Sequence, residues 1–319
     1  MAACRMNNQL THTPVLLSET LEYLSLCSEG IYVDCTFGRG GHARAILNQI
    51  GSQGRLYALD RDPEAVAYAR QFYSKDERFR IFHSSFSRLV TILKSEEVYG
   101  KVNGILFDLG VSSPQLDNPE RGFSFSEDGN LDMRMDSTTG LDAASWLAKV
   151  DEKELARVLW EYGDERYSRR IARSIVRVRT ESPIRTTKQL ASIITRAMPR
   201  LAPGKHAATR SFLAIRIAIN QELRELEHGL KHALESLAPG GRLVVISFHS
   251  LEDRIVKQFI QKHVRGAPEH QIPLDLPIKE CIFSPRLKRI GSSVKASTQE
   301  VMKNVRSRSA ILRIAEKIS

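Results

Sequence analysis

Three acidic residues that each follow a short apolar run are the strongest candidates for chemistry. Asp34, Asp60 and Asp108 end runs rich in β-branched and aromatic side chains, which is the pattern of a buried strand. Ligands of open α/β sheets bind beyond the carboxyl ends of the strands, so these acids are expected to face a ligand. Asp60 follows the glycine-rich turn 38–41 by about twenty residues, a spacing at which an acid accepts ribose hydroxyl protons.

The glycine-rich turn limits the classes of ligand that could bind at this edge of the sheet. Gly38-Arg-Gly-Gly-His42 fits neither the G-x-G-x-x-G pattern of dinucleotide sites nor the G-x-x-x-x-G-K-[ST] pattern of phosphate loops. A nucleoside without a pyrophosphate suits it better, and S-adenosylmethionine is the candidate. Asp60 would bind the ribose, Asp34 or the backbone of residues 40–42 the amino-acid tail, and Phe86 would pack on the adenine. A tight turn without a ligand is the alternative interpretation.

The elements that position these residues alternate between strands and helices, which predicts βαβ units and a parallel sheet. The fold class is therefore α/β, Rossmann-like. Strands are predicted at residues 30–37, 54–59, 79–83, 102–107, 241–247 and 310–315, and helices at 43–50, 63–72 and 251–263.

The middle of the chain lacks strands and predicts an all-helical insert. Residues 112–140 are rich in Ser, Pro, Gly, Asp and Asn and indicate an ordered loop, and residues 266–307 are loop-rich as well. We expect residues 1–112 and 211–319 to form the α/β domain and residues 113–210 the insert. Its predicted helices are 143–150, 152–162, 168–179 and 187–198, and a long helix follows at 212–237.

Positive charge is concentrated in this insert. The chain carries a net charge of +10, and residues 166–216 alone contain thirteen Lys or Arg and one acid, Glu181. Contact with phosphates explains this imbalance better than a solvated surface, which normally mixes signs. Helical spacing predicts one stripe of Arg166, Arg170, Arg173 and Arg177, extended by Arg169, with Ile171, Ile175 and Val178 on the buried face.

Composition excludes several classes of protein. No apolar run is long enough for a transmembrane helix, and the first residues lack the apolar core of a secretory signal, so a cytoplasmic protein without membrane contact is expected. The four cysteines form no C-x-x-C pair and the nine histidines are scattered without ligand spacing. A disulfide framework and a metal site are therefore not expected.

Seven motifs together resemble one family, the bacterial small-subunit ribosomal RNA (cytosine-N4)-methyltransferases. The resemblance runs from His12 to Lys317, and residues 266–300 match it poorly. Two family motifs lack a proline here, at His206-Ala-Ala-Thr-Arg210 and Asn304-Val-Arg-Ser-Arg-Ser309. The seven motifs are His12-Thr-Pro-Val-Leu-Leu17, Asp34-Cys-Thr-Phe-Gly-Arg-Gly-Gly-His42, Asp60-Arg-Asp-Pro63, Asp108-Leu-Gly-Val-Ser-Ser-Pro-Gln115, Arg121-Gly-Phe-Ser-Phe125, Leu131-Asp-Met-Arg-Met-Asp136 and Ser247-Phe-His-Ser-Leu-Glu-Asp-Arg254.

The resemblance implies an enzyme that uses S-adenosylmethionine to methylate the N4 amine of a cytidine in the decoding centre of 16S ribosomal RNA. The implied partner is this RNA or the assembling 30S subunit, and the sequence leaves open which, as it does the choice between monomer and homodimer. The family's cofactor contacts fall on Gly40, Gly41, His42, Asp60, Phe86, Asp108 and Gln115.

Direct methyl transfer needs an acceptor for the amine hydrogen bond and a surface that holds the flipped base. We expect Asp108 or the segment Ser112–Ser113 to be the acceptor. Phe123 and Phe125 are candidates for stacking on the base, and packing in the core is the equally favoured alternative. The loop lacks the [DNS]-P-P-[YFW] motif of DNA amino-methyltransferases.

Two further hypotheses stay open at this point. One is a methyltransferase of the same architecture that acts on DNA or on a protein. The other is a non-catalytic RNA-binding assembly factor that keeps the fold and the cofactor site but does not turn over.

Overall fold

The computed structural model describes residues 14–199, 206–266 and 284–319, which fall into two compact units. The first contains the chain up to Gly110 and from Glu225 onwards, and the second is Val111–Arg224. Each unit has a hydrophobic core of its own. Within the described ranges, no helix combines the length and the apolar character needed to cross a membrane.

The first unit is built on one eight-stranded mixed sheet. The first five strands lie in the order 3-2-1-4-5, as in the first five strands of a Rossmann sheet, and are mutually parallel. The eighth strand is antiparallel to the fifth, and the sixth and seventh pair with the eighth. The strands are β1 Ile31–Asp34, β2 Arg55–Asp60, β3 Phe79–His83, β4 Val102–Asp108, β5 Leu237–Ser247, β6 Leu287–Arg289, β7 Val294–Lys295 and β8 Ile311–Lys317.

Burial on both faces explains why the parallel strands read as continuous apolar runs. Ile105, Leu106 and Phe107 of β4 are all fully buried, although successive side chains of a strand point to opposite faces. The parallel register places the carboxyl ends of β1, β2, β4 and β5 at one edge of the sheet. The predicted α/β fold is confirmed.

Seven helices accompany the described strands of this unit, and three of them, α1, α4 and α13, were not predicted. α1 and α4 are short and have no strong cap signal in the sequence. The interpretation of residues 266–307 as loop is wrong for residues 287–303, which hold β6, β7 and a helix, while residues 267–283 lie outside the described part of the chain. The helices are α1 Leu17–Leu24, α2 Gly41–Leu47, α3 Pro63–Tyr73, α4 Leu89–Ser95, α11 Glu222–Ser236, which begins in the second unit, α12 Ser250–Arg265 and α13 Thr298–Lys303.

The second unit is helical, with one isolated bridge, Asn130–Thr186, among its described residues. Side-chain caps set several helix starts: Asp142, Asp151 and Thr186 each accept a hydrogen bond from a backbone N–H three residues on. Its helices are α5 Ser113–Asp117, α6 Ala143–Lys149, α7 Glu152–Gly163, α8 Ser168–Glu181, α9 Thr187–Ala197 and α10 Thr209–Asn220.

Two sequence-based predictions fail in this region. The segment 112–140 is not a loop throughout, because Ser112 and Gln115 form a capping box that starts α5. The long helix predicted at 212–237 is two helices, α10 and α11, separated by Gln221, whose φ of 50° is left-handed and ends α10. No glycine or proline marks this break. The predicted insert limits, 113–210, stay a prediction beside the observed unit Val111–Arg224.

Candidate active site

The glycine-rich turn after β1 is held by the carboxylate of Asp60. The backbone N–H of Gly38 donates to Asp60 Oδ2 at 2.7 Å, and that of Asp62 donates to Oδ1 at 2.8 Å. Gly40 has a φ of 71°, and a Cβ there would lie 2.6 Å from the ring of Phe37. A carboxylate offers about four lone-pair directions, so Asp60 keeps acceptor capacity for a ligand.

A second group of polar side chains, Asp34, His42 and Asp108, lies at the same sheet edge. His42 Nε2 is 3.5 Å from Asp108 Oδ2, and His42 is buried. Asp34 is 1% exposed and accepts a hydrogen bond from the N–H of Thr36. We call these three residues and Asp60 the strand-end cluster. The structure thus brings together four of the residues singled out in the sequence.

Burial dominates the electrostatics of this cluster. It raises the pKa of Asp34 to about 6, with His42 and the Thr36 N–H acting in the opposite direction and the charges of Asp108 and Asp60 adding to the rise. Burial also raises the pKa of Asp60 to about 6, against the hydrogen bonds from Asp62 and Gly38. Three carboxylates held this close together favour a cationic or hydroxyl-rich ligand.

The cluster also contains buried polar atoms that the described protein atoms do not satisfy. Asp108 Oδ1 and both ring nitrogens of His42 have no hydrogen-bond partner. Such atoms are costly unless a ligand or water pairs with them. Acceptors for an ammonium group and for ribose hydroxyls fit the polar groups of S-adenosylmethionine.

Phe86 lies in the core of the first unit. It is 9% exposed, its ring contacts that of Phe107 edge-on at 5.4 Å between centroids, and a Cβ on Gly229 would lie 2.6 Å from it. The contacts described for Phe86 include no residue of the strand-end cluster. Its adenine contact stays a prediction.

The remaining loop residues belong to the second unit. Ser112 is the N-cap of α5, Ser113 is its first residue, and the side chain of buried Gln115 accepts a hydrogen bond from the Ser112 N–H at 2.9 Å. Their predicted roles as amine acceptor and cofactor contact stay predictions.

The two phenylalanines proposed to stack on the base pack within the second unit. Phe123 is 8% exposed and belongs to its core, with the guanidinium of Arg121 5.8 Å from the ring centroid. Phe125 is half-buried and contacts the rings of Phe212 and His206. Both rings pack within the protein, as the alternative interpretation expects, and their stacking on a base stays a prediction.

Helix α8 carries most of the predicted arginine stripe. Arg169, Arg170, Arg173 and Arg177 are exposed, and Ile171 and Ile175 are fully buried on the other face. Placing Arg166 in this helical stripe is wrong, because α8 begins at Ser168 and Arg166 precedes its N-cap. We call the four exposed residues the α8 arginines.

Other cations of the basic window have partners inside the unit. Arg179 donates to the carbonyl oxygens of Leu147 and Val150, so it binds the C-terminal end of α6. Arg216 forms a two-bond ion pair with Glu222 at 2.7 and 2.8 Å. The net charge of the window therefore overstates the number of cations that can meet a phosphate.

Two residues near the cluster escaped the sequence analysis. The N–H of Asp108 donates to Thr36 Oγ1 at 2.7 Å, which joins the ends of β1 and β4. The Tyr73 hydroxyl donates to the carbonyl of Gly40 at 3.0 Å and secures the glycine turn. Thr36 lies inside a quoted motif and could have been predicted from the sequence. Tyr73 ends α3, thirty-three positions from Gly40, and no sequence pattern indicates its contact.

Comparison with known proteins shows which family the chain is similar to. The model of the MraW methylase family matches residues 9–318. Proteins named ribosomal RNA small subunit methyltransferase H are 52% identical: that of Pseudoalteromonas atlantica over 98% of this chain and all of its own, and that of Hydrogenovibrio crunogenus over the whole of both. That of Xylella fastidiosa is 52% identical over 97% of this chain and 98% of its own. The predicted cofactor, S-adenosylmethionine, is confirmed with this assignment. The chain belongs to the MraW methylase family.

Proposed function

We propose that the protein methylates the N4 amine of a cytidine in the decoding centre of small-subunit ribosomal RNA, using S-adenosylmethionine. The observation that carries the proposal is 52% identity over the full length of relatives named as small-subunit ribosomal RNA methyltransferases. The choice of cytidine N4 and of the decoding centre rests on the motifs quoted above. This substrate implies a cytoplasmic location.

Asp108 is the residue best suited to receive the amine. Its Oδ1 is buried and has no partner among the described atoms, while Oδ2 lies 3.5 Å from His42. A free acceptor at the end of β4 takes a hydrogen bond from the amine and strengthens as positive charge develops on the nitrogen.

The transfer itself is a direct displacement. When bound, S-adenosylmethionine would supply a methyl group on a positively charged sulfur for direct transfer to the amine. The amine then carries one proton too many, and Asp108 is placed to accept it before passing it to solvent. Neither described cysteine is needed as a nucleophile: Cys35 is buried and its pKa is raised well above the usual value by that burial.

RNA binding is assigned to the α8 arginines. They are exposed, and two of them, Arg169 and Arg170, lie in the first turn of α8, where the helix dipole disfavours positive charge. A phosphate offsets this repulsion. We infer that these residues position the folded RNA while the first unit carries out the chemistry.

Mass spectrometry of nucleosides tests the reaction directly. Purified protein with labelled S-adenosylmethionine is incubated in parallel with protein-free 16S RNA, assembled small subunits and double-stranded DNA. The proposal expects N4-methylcytidine at one position in one or both ribosomal substrates and none in DNA. Asp108→Asn serves as the matched inactive control.

The same experiment separates the alternatives. Label in DNA or in a protein of the subunit would favour a methyltransferase with another substrate. Cofactor binding by calorimetry without label in any substrate would favour a non-catalytic assembly factor.

A further inference from the structure

A groove in the first unit lies far along the chain from the strand-end residues and takes no part in the chemistry described above. It is formed by α12, β6, residues 291–293 and the inner part of β8, and its volume is about 620 Å³. β6 is the edge strand of the sheet, so one side of the groove is open. Its floor is aliphatic and its rim is cationic. The floor residues are Ile260, Val264, Leu287, Ile290 and Ile314, and the rim residues are Lys257, Arg265, Lys288 and Arg289.

The rim carries uncompensated positive charge. A fifth cation of the lining, Arg313, is neutralised by Asp253 through two hydrogen bonds of 2.6 and 2.9 Å. The four rim residues are exposed and form no ion pair with the described residues, and the described lining contains no acid. Four cations around one groove repel one another, and a polyanion removes that repulsion.

The placement of the rim residues is regular. Lys257, Gln261 and Arg265 lie four residues apart on α12 and therefore share one face of the helix. Lys288 and Arg289 are consecutive on β6, so their side chains point to opposite faces of the sheet. The groove thus has a cationic wall on the helix and one cation on either side of the edge strand, with apolar side chains between the helix and the strand.

We propose that this groove binds the phosphate backbone of a single-stranded stretch of the substrate RNA. The inference rests on the proposed function and adds a second contact surface to it. Charge complementarity identifies the partner. No aromatic side chain is present among the described lining residues, so the groove does not stack bases and reads no sequence. Its volume is that of a pocket for a drug-sized ligand, which admits a strand and not a helix.

A charge-matched pair of variants tests the groove. The groove variant is Lys257→Gln, Lys288→Gln, Arg289→Gln. The control is Arg70→Gln, Lys75→Gln, Lys231→Gln, which removes the same charge from exposed residues of the first unit that form no ion pair with described residues. Binding to protein-free 16S RNA and to assembled small subunits is measured at several salt concentrations.

The groove variant is expected to bind both substrates at least about tenfold more weakly at low salt. The slope of log affinity against log salt should fall by about two units, since each of the three lost contacts with a single strand removes about 0.7. The control should change the slope by less than half as much. Calorimetry should show unchanged affinity for S-adenosylmethionine in both variants.

Two results would overturn the proposal. Equal slopes for the groove variant and the control would make the rim an ordinary solvated surface. Weaker binding to the assembled subunit with normal binding to protein-free RNA would identify a protein as the occupant. A wild-type protein that methylates no ribosomal RNA would instead overturn the proposed function, so the two failures are distinguishable.

Discussion

The strand-end cluster and the α8 arginines hold their charges in opposite ways. In the cluster, Asp34 and His42 are buried, Asp60 and Asp108 are half-buried, and Asp108 Oδ1 lacks a partner among the described atoms. The α8 arginines are exposed on one side of a helix whose other side fills the core of the second unit. One of them, Arg173, forms a loose ion pair with Glu152, whose Oε1 lies 3.6 Å from Arg173 Nε at the surface.

This difference separates two kinds of functional signal. Buried polar atoms that lack partners indicate a specific ligand, because the fold bears a free-energy cost that only that ligand removes. Exposed cations cost little individually and act through their number, which suits a polyanion. Substitutions in the cluster should therefore have large effects that depend on a single atom, whereas effects at the arginines should be small, additive and sensitive to salt.

The largest effect is expected at Asp108. Asp108→Asn keeps the size of the side chain but removes its charge and its ability to accept a proton, so the turnover rate should fall about 100-fold to 1000-fold. RNA affinity should change less than about twofold, because the interaction grows in the transition state. Single-turnover kinetics and RNA binding are measured on the same preparation.

Ser112→Ala and Ser113→Ala provide the comparison for Asp108. Either serine variant should keep most of the turnover. If Asp108→Asn turns over normally and a serine variant does not, the acceptor role passes to the Ser112–Ser113 segment.

The next largest effect is expected in the pH dependence of stability, through Asp34. Because burial raises its pKa to about 6, the folded protein holds a proton that the unfolded chain releases at lower pH. Below the ordinary aspartate pKa the Asp34 carboxyl is protonated in both states, so its burial has its full stabilising effect there. As the pH rises through about 6 this effect is lost, and the free energy of unfolding falls by at most about 3 kcal/mol.

Asp34→Asn removes this titration and keeps an oxygen for the Thr36 N–H. Between about pH 4 and pH 7, the free energy of unfolding should fall less steeply with rising pH in the variant than in the wild type. Urea unfolding at a series of pH values measures both curves. Parallel curves would show that Asp34 is already ionised in the fold.

Substitution of Asp60 should weaken cofactor binding more than it slows methyl transfer. Asp60→Asn is preferred to Asp60→Ala, because the two carboxylate oxygens also accept from the N–H groups of Gly38 and Asp62, and the asparagine oxygen keeps one of these two bonds, whereas alanine loses both. We expect S-adenosylmethionine to bind roughly 10-fold to 100-fold more weakly, the worth of hydrogen bonds to a charged group.

Asp62→Asn is the matched control for Asp60. Asp62 caps α3 through the N–H of Glu64, and asparagine caps equally well. Calorimetry should therefore find near-normal cofactor affinity in this control. Normal affinity in a folded Asp60→Asn protein would remove Asp60 from the cofactor site.

The smallest effects are expected at the α8 arginines. Neutralising Arg170, Arg173 and Arg177 to Gln should lower the salt slope of RNA binding by about two units and leave cofactor affinity unchanged. Arg179→Gln is the control: it should leave the slope alone and lower stability by about 1 kcal/mol, because Arg179 binds the carbonyls of Leu147 and Val150. An unchanged slope in the triple variant would make α8 a solvated face.

The fold and the cluster differ in how far the sequence could predict them. The parallel strands were predictable because burial on both faces leaves an uninterrupted apolar run, and the acids at their ends follow from the common direction of the strands. The approach of His42 to Asp108 was not, because it depends on the direction of a side chain on α2 relative to a strand that comes sixty residues later.

Elsewhere the missing signal was local. Gln221 adopts a left-handed conformation without being glycine or asparagine, so no pattern predicts the break between α10 and α11. The capping box of Ser112 and Gln115 was readable as S-x-x-Q, but the surrounding Ser and Pro residues favoured a loop. The bonds of Arg179 to backbone carbonyls show that a charge count cannot separate cations that meet a ligand from those that hold the fold.

The strand order has a consequence for how the chain folds during synthesis. β4 and β5 are neighbours in the sheet, yet the residues of the helical unit lie between them in the sequence, and β5 must wait a further sixty-odd residues for β8. The edge of β4 is therefore unpaired while the helical unit emerges, and unpaired edges invite mispairing. The helical unit, with local contacts and a core of its own, is expected to fold first. The nascent chain then acquires α8 before β5 and β8 complete the sheet.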